Sequence, residues 1–177
     1  MTSITNRNYF ELFRLEPRFQ LDLRLLDTGY KELQGRVHPD RAVHLGDAER
    51  RLSLQWATFA NEAYRTLKRP LDRARYLLGL RGVDTQEETL TALPQEFLLE
   101  QMEWREQLQE AAMNRDVEEL KRLERQVQGE LKGLLERLGT LLDVEHCYEP
   151  AAALVRQMQF LDKLSAKISD ACEALEH

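Results

Sequence analysis

The chain has 177 residues, 42% of them hydrophobic and 32% charged, which suits one ordinary domain or two small ones rich in helix and excludes disorder throughout. Its net charge of −6 disfavours nucleic acid as a partner, because phosphate contacts are made by Lys and Arg. No run approaches the roughly 20 apolar residues that span a bilayer, and Met1 to Asn8 lacks the layout of a secretory signal, so a cytoplasmic protein with no membrane partner is expected.

Charge is unevenly spread. Residues 1–80 carry 14 Lys and Arg against 10 Asp and Glu, whereas residues 81–177 carry 11 against 21. Two regions of opposite sign suggest two partners. The two cysteines, Cys147 and Cys172, lack any paired spacing, which argues against a disulfide framework or a cysteine zinc site.

Along the chain, Tyr9, Phe10, Leu12 and Phe13 predict a brief helix closing before Pro17. Asp22 is a plausible N-cap for a second helix, on which Leu23, Leu26, Tyr30, Leu33 and Val37 share one face. That helix must stop near Val37. Pro39 clashes with continued helix and disfavours the α region for His38, so the chain turns with an imidazole and the Asp40 carboxylate at the bend. A third helix is expected from about Asp47 to Lys68, with Leu52, Trp56, Phe59, Ala60, Ala63, Tyr64 and Leu67 as its apolar face. Pro70 interrupts it, and Leu71 to Leu78 reads as a short further helix.

The stretch 81–94 has turn residues and little periodicity, and is read as a linker between domains spanning 1–80 and 95–177. Three longer helical patterns follow: Gln95 to Ala112, Asp116 to Leu142, and one opened by Pro150 with Leu154, Met158, Leu161, Leu164, Ile168, Cys172 and Leu175 as its stripe. Their short connections favour an antiparallel three-helix bundle, giving an all-α protein. Gly129, Gly133 and Gly139 each weaken the middle helix by roughly 1 kcal/mol relative to Ala, so packing must hold it.

The first bundle helix carries a misplaced apolar group. With residues set at 100° intervals from Leu98, Phe97, Trp104, Leu108 and Ala111 fall between about 220° and 280°, a compact core stripe. Leu98, Leu99 and Met102 lie elsewhere, at about 0°, 100° and 40°, in the sector that also holds Glu103, Glu106 and Glu110. Apolar anchors ringed by carboxylates on an outer face suit protein binding. Phe160 stands about 90° from the middle of the last helix's stripe, a second misplaced side chain.

Asn8-Tyr9-Phe10-Glu11-Leu12-Phe13, the run Arg36-Val37-His38-Pro39-Asp40-Arg41 and the segment Asn61 to Pro70 resemble the J-domain in order and spacing. The continuation Leu71-Asp72-Arg73-Ala74-Arg75-Tyr76-Leu77-Leu78, with Phe97 to Glu103 and Gln159 to Leu164 in an acidic second region, resembles the HscB family of iron-sulfur co-chaperones over nearly the whole chain. Animal members carry an N-terminal cysteine-rich zinc module, and no cysteine precedes Cys147 here, so the bacterial type is the better match.

The resemblance implies an L-shaped two-domain protein that is a co-chaperone and not an enzyme. The N-terminal J-domain hairpin would dock on a DnaK-class ATPase chaperone, HscA, and stimulate ATP hydrolysis. It would do so through His38, Pro39 and Asp40, with Arg24, Lys31, Arg36 and Arg41 as basic contacts; Glu32 and Gly35 depart from the more basic family pattern. The C-terminal bundle would bind and deliver the iron-sulfur scaffold protein IscU through Leu98, Leu99, Met102, Glu103, Glu106, Glu110 and Phe160. The alternative is a J-domain co-chaperone carrying a different client. No cofactor is expected, since the cluster belongs to the partner. No metal site is expected from His146, Cys147 and Cys172, because adjacent side chains diverge. His38 and Asp40 lack the nucleophile or cofactor loop that catalysis would need.

Overall fold

The computed structural model describes residues 8–37, 46–85 and 93–176. All regular structure among them is helical: α1 Tyr9–Leu12, α2 Leu23–Val37, α3 Asp47–Lys68, α4 Pro70–Leu80, α5 Gln95–Met113, α6 Val117–Thr140, a π-helical turn Leu141–Glu145, and α7 Tyr148–Glu176. Packing divides the chain into two compact units, 1–77 and 78–177, so the division falls inside α4, ahead of the 81–94 stretch. Of that stretch, 86–92 lie outside the described residues, and Leu93 already packs against the bundle core.

The first unit is an antiparallel hairpin of α2 and α3 with α1 and the first turns of α4 laid across it. Asp22 accepts a hydrogen bond from the Arg24 amide at 2.9 Å, which satisfies one of the free donors that open α2. Contacts across the hairpin run in opposite directions: Asp27 meets Tyr64 and Lys68, while Tyr30, three residues later, donates to Asn61 at 2.6 Å. Gly29 faces Phe13 so closely that a Cβ there would stand 3.3 Å from Phe13 Cβ, which lets the segment after α1 lie against α2. Leu26, Ala60, Ala63 and Leu67 are buried as their periodicity requires. Leu23 and Leu52 are exposed instead, because each sits in the opening turns of its helix, where part of the stripe goes uncovered.

Tyr9 of α1 stacks on Tyr76 of α4 with ring centres 4.2 Å apart, and the Tyr76 hydroxyl accepts from the Tyr9 amide at 2.9 Å. Arg73 is only 6% exposed. Its guanidinium donates to the carbonyls of Phe19 at 2.7 Å and Leu67 at 2.5 Å, the latter in the last turn of α3 where carbonyls lack helical partners.

The second unit is a three-helix bundle around Phe97 and Trp104 of α5, Leu123 and Val127 of α6, and Leu161, Leu164 and Ile168 of α7. The α5–α6 turn joins two end motifs at one residue. Asp116 and Arg115 donate to Ala111 and Ala112 to close α5, with Arg115 in the left-handed region at φ 55°, and the Asp116 carboxylate then accepts from the Glu119 amide to open α6. Thr140 hands α6 directly to the π-helical turn, which His146 ends at φ 54°. The last helix starts two residues before Pro150, at Tyr148. A proline is tolerated there because the first-turn amides have no helical acceptor.

Candidate functional sites

Arg24 and Lys31 are exposed on α2, and at a spacing of seven residues they share one side of it. The α2–α3 clamp fixes that side: Tyr30 and Tyr64 stack at 4.1 Å, and Asp27 takes hydrogen bonds from Tyr64 at 2.9 Å and Lys68 at 2.6 Å. These bonds, that of Lys68 foremost, hold the Asp27 carboxyl below its ordinary range and raise the Lys68 ammonium. His38, Pro39, Asp40 and Arg41 lie outside the described residues, as does the side chain of Arg36; α2 ends at Val37, directly before them.

On α5 the expected core stripe is buried, with Trp104 only 2% exposed, while Leu99 and Met102 stand 54% and 58% exposed. Leu98 is half-buried, so the expected trio divides into one side chain at the margin of the core and two in the open. Glu103, Glu106 and Glu110 lie beside them. On the neighbouring side of α5, burial first, then the charges of Glu130 on α6 and Glu103 on α5, push the Glu100 carboxyl up.

Phe160 is half-buried and packs against the bundle core. The Arg105 guanidinium carbon lies over its ring, 4.8 Å from the centre, which holds α5 and α7 together at the margin of the apolar patch. Arg105 escaped the reading of the sequence, though its position at about 340° on the same wheel, next to Leu98, was the available signal. Gln101 was missed as well: it is buried, and its amide lacks a hydrogen-bond partner among the described residues. Among those residues no three His, Cys, Asp or Glu side chains converge as a metal site, and no helix is long and apolar enough to cross a membrane.

Residues 93–169, which hold α5, α6 and most of α7, match the family model described as the HSCB C-terminal oligomerisation domain. The co-chaperone protein HscB homolog of Burkholderia multivorans is 47% identical over 169 residues, 96% of either chain, and its counterpart from Aromatoleum aromaticum is 45% identical over 170 residues, again 96% of either chain. Among solved structures, chaperone HscB from Vibrio cholerae superposes with a TM-score of 0.84 at 34% identity, covering 96% of this chain and 99% of that one. Human co-chaperone protein HscB superposes at 0.89 with 30% identity, covering 94% of this chain and 83% of that one. With relatives this similar over nearly its whole length, the chain belongs to the HscB co-chaperone family.

Proposed function

We propose that the chain is a two-ended adaptor in iron-sulfur cluster assembly. Its first unit acts as a J-domain that stimulates the ATPase of a DnaK-class chaperone of the HscA type. Its second unit binds the scaffold protein IscU and delivers it there. The observation that carries this reading is the exposure of Leu99 and Met102, two large apolar side chains held open on α5 beside Glu103, Glu106 and Glu110. Such a patch gains stability by burial against a partner, and the carboxylates set its orientation.

In the J-domain reading, His38 and Asp40 at the bend meet the chaperone while Arg24 and Lys31 of α2, with Arg36 and Arg41, supply the electrostatic contact. The protein catalyses nothing itself; the chemistry is the partner's ATP hydrolysis, and the cluster is cargo on the scaffold. The cytoplasm is the compartment where these partners meet. Titration calorimetry with purified IscU, paired with a steady-state ATPase assay, tests the division of labour. His38→Gln is expected to abolish stimulation and leave scaffold affinity within about twofold of wild type, since the apolar anchors and charged rim of the second unit are untouched. Equal stimulation by this variant, or failure of the wild type to bind the scaffold, would refute it.

A further inference from the structure

The chain has four methionines, Met1, Met102, Met113 and Met158. Met1 lies outside the described residues, and Met158 is buried at 2% exposure. Met102 and Met113, both on α5, stand 58% and 84% exposed. A thiol must lose its proton before it reacts, whereas a thioether is ready at any pH, so reach chiefly decides which of these sulfurs an oxidant attacks.

Met102 stands at the centre of the apolar patch. One turn back along α5, at i−4 and i−3, are Leu98 and Leu99; one turn on, at i+3 and i+4, are Arg105 and Glu106. The Arg105 guanidinium is already seated over the Phe160 ring. Met113 closes α5, eleven residues and about 16 Å further along. Among the described residues the chain therefore offers one open sulfur inside the patch, one outside it and one sealed in the core.

We propose that Met102 is an oxidation site that releases the partner held by this patch, with hydrogen peroxide as the oxidant. The sulfur lone pair attacks one peroxide oxygen. The S–O bond forms as the O–O bond breaks, and the departing hydroxide takes the proton of the transferred oxygen and leaves as water. Sulfur loses two electrons and the peroxide gains them. The product, methionine sulfoxide, puts a strong hydrogen-bond acceptor where an apolar group stood. Leu98 and Leu99 have no side-chain donor to offer it, Glu106 is a second acceptor, and Arg105 is committed to Phe160. Docking then strips water from the new oxygen without restoring its bonds. A thiol-driven sulfoxide reductase reverses the step, the oxygen leaving as water while two thiols join as a disulfide. Delivery of the partner slows while peroxide persists and resumes once the sulfoxide is reduced. The inference rests on the reading above for what the patch binds, but not for the reactivity of Met102.

The full chain is treated with peroxide, alone or with saturating IscU, and each methionine is followed by peptide mass spectrometry. Met102 and Met113 are expected to take one oxygen each and Met158 none, with IscU slowing the reaction at Met102 and not at Met113. Chain oxidised alone and freed of peroxide is then titrated with IscU by calorimetry. It is expected to bind about tenfold more weakly, the order of the cost of burying one unpaired polar group, and to recover after treatment with the reductase. Met113→Leu should lose as much on oxidation as wild type, while Met102→Leu, from whatever affinity it starts, should lose nothing, although both variants keep Cys147 and Cys172. An equal loss in Met102→Leu, or a Met102 left unmodified while Met113 is oxidised, overturns the proposal. So does unchanged affinity of the oxidised chain where Leu99→Ala binds more weakly, since the patch then grips the scaffold and tolerates the sulfoxide. Unchanged affinity in both overturns the scaffold reading as well, and leaves Met102 reactive with nothing to release.

Discussion

Lys68 Nζ lies 2.6 Å from Asp27 Oδ1, so the last turn of α3 is tied to the second turn of α2 through a single carboxylate that also accepts from the Tyr64 hydroxyl. This bond helps to fix the register of the α2–α3 hairpin. Both partners are partly open to water, so the bond aligns the helices more than it stabilises them.

Its pH dependence follows from the direction of the two shifts. The Asp27 carboxyl is held below its ordinary 3.8, so its contribution is present above that value and is lost as the pH falls through the folded one. The Lys68 ammonium is raised above 10.5, so its contribution persists at neutral pH and is lost only as the pH rises through its folded value. Asp27→Asn should lower the urea midpoint modestly at neutral pH, and its deficit should vanish in acid below the carboxylate range. A deficit that stays constant into acid would contradict the bond's role.

Arg73 is expected to be costly to replace, because its buried guanidinium donates to two carbonyls. Arg73→Met keeps the stem but leaves the carbonyls of Phe19 and Leu67 without their donor in a buried setting. At roughly 1–3 kcal/mol per orphaned group, the loss should be about 3 kcal/mol, read from denaturant unfolding of the full chain. A loss below about 1 kcal/mol would mean that water reaches both carbonyls.

Arg115 occupies the position that Gly82 fills after α4, with the same pair of closing hydrogen bonds but a side chain at φ 55°. Arg115→Gly should therefore stabilise the second unit by about 1 kcal/mol, the order of the left-handed penalty, seen as a higher melting temperature. A lower melting temperature would show that the Arg115 side chain contributes a contact worth more than the strain.

Leu99→Ala/Met102→Ala should separate binding from folding. Exposed side chains contribute little to stability, so unfolding should stay within about 0.5 kcal/mol of wild type. Scaffold affinity should fall between about tenfold and a hundredfold, as burial of one or two such side chains would give. A variant that unfolds more easily by several kcal/mol would place these residues in the core.

Helix periodicity carried most of the fold, because α3, α5 and α6 each repeat an apolar stripe at helical spacing along their length. What periodicity cannot see is how far a stripe is covered. Leu23 and Leu52 obey the pattern yet lie exposed, since cover depends on what packs against the opening turns of a helix. The sector argument for Leu99 and Met102 worked for a related reason: an apolar residue off the stripe has no core to enter. It worked less well for Leu98, whose angle lies nearest the core stripe and whose side chain is half-buried. Arg73 and Gln101 were illegible because a buried polar side chain looks like any surface one until its neighbours are known.

The most direct test of the adaptor is the steady-state ATPase rate of an HscA-type chaperone measured with IscU alone, with this chain alone, and with both. The account predicts stimulation by this chain that rises further when IscU is present, with the extra rise lost in Leu99→Ala/Met102→Ala while the basal stimulation remains. No stimulation by the wild-type chain, or an identical rise in that variant, would contradict it.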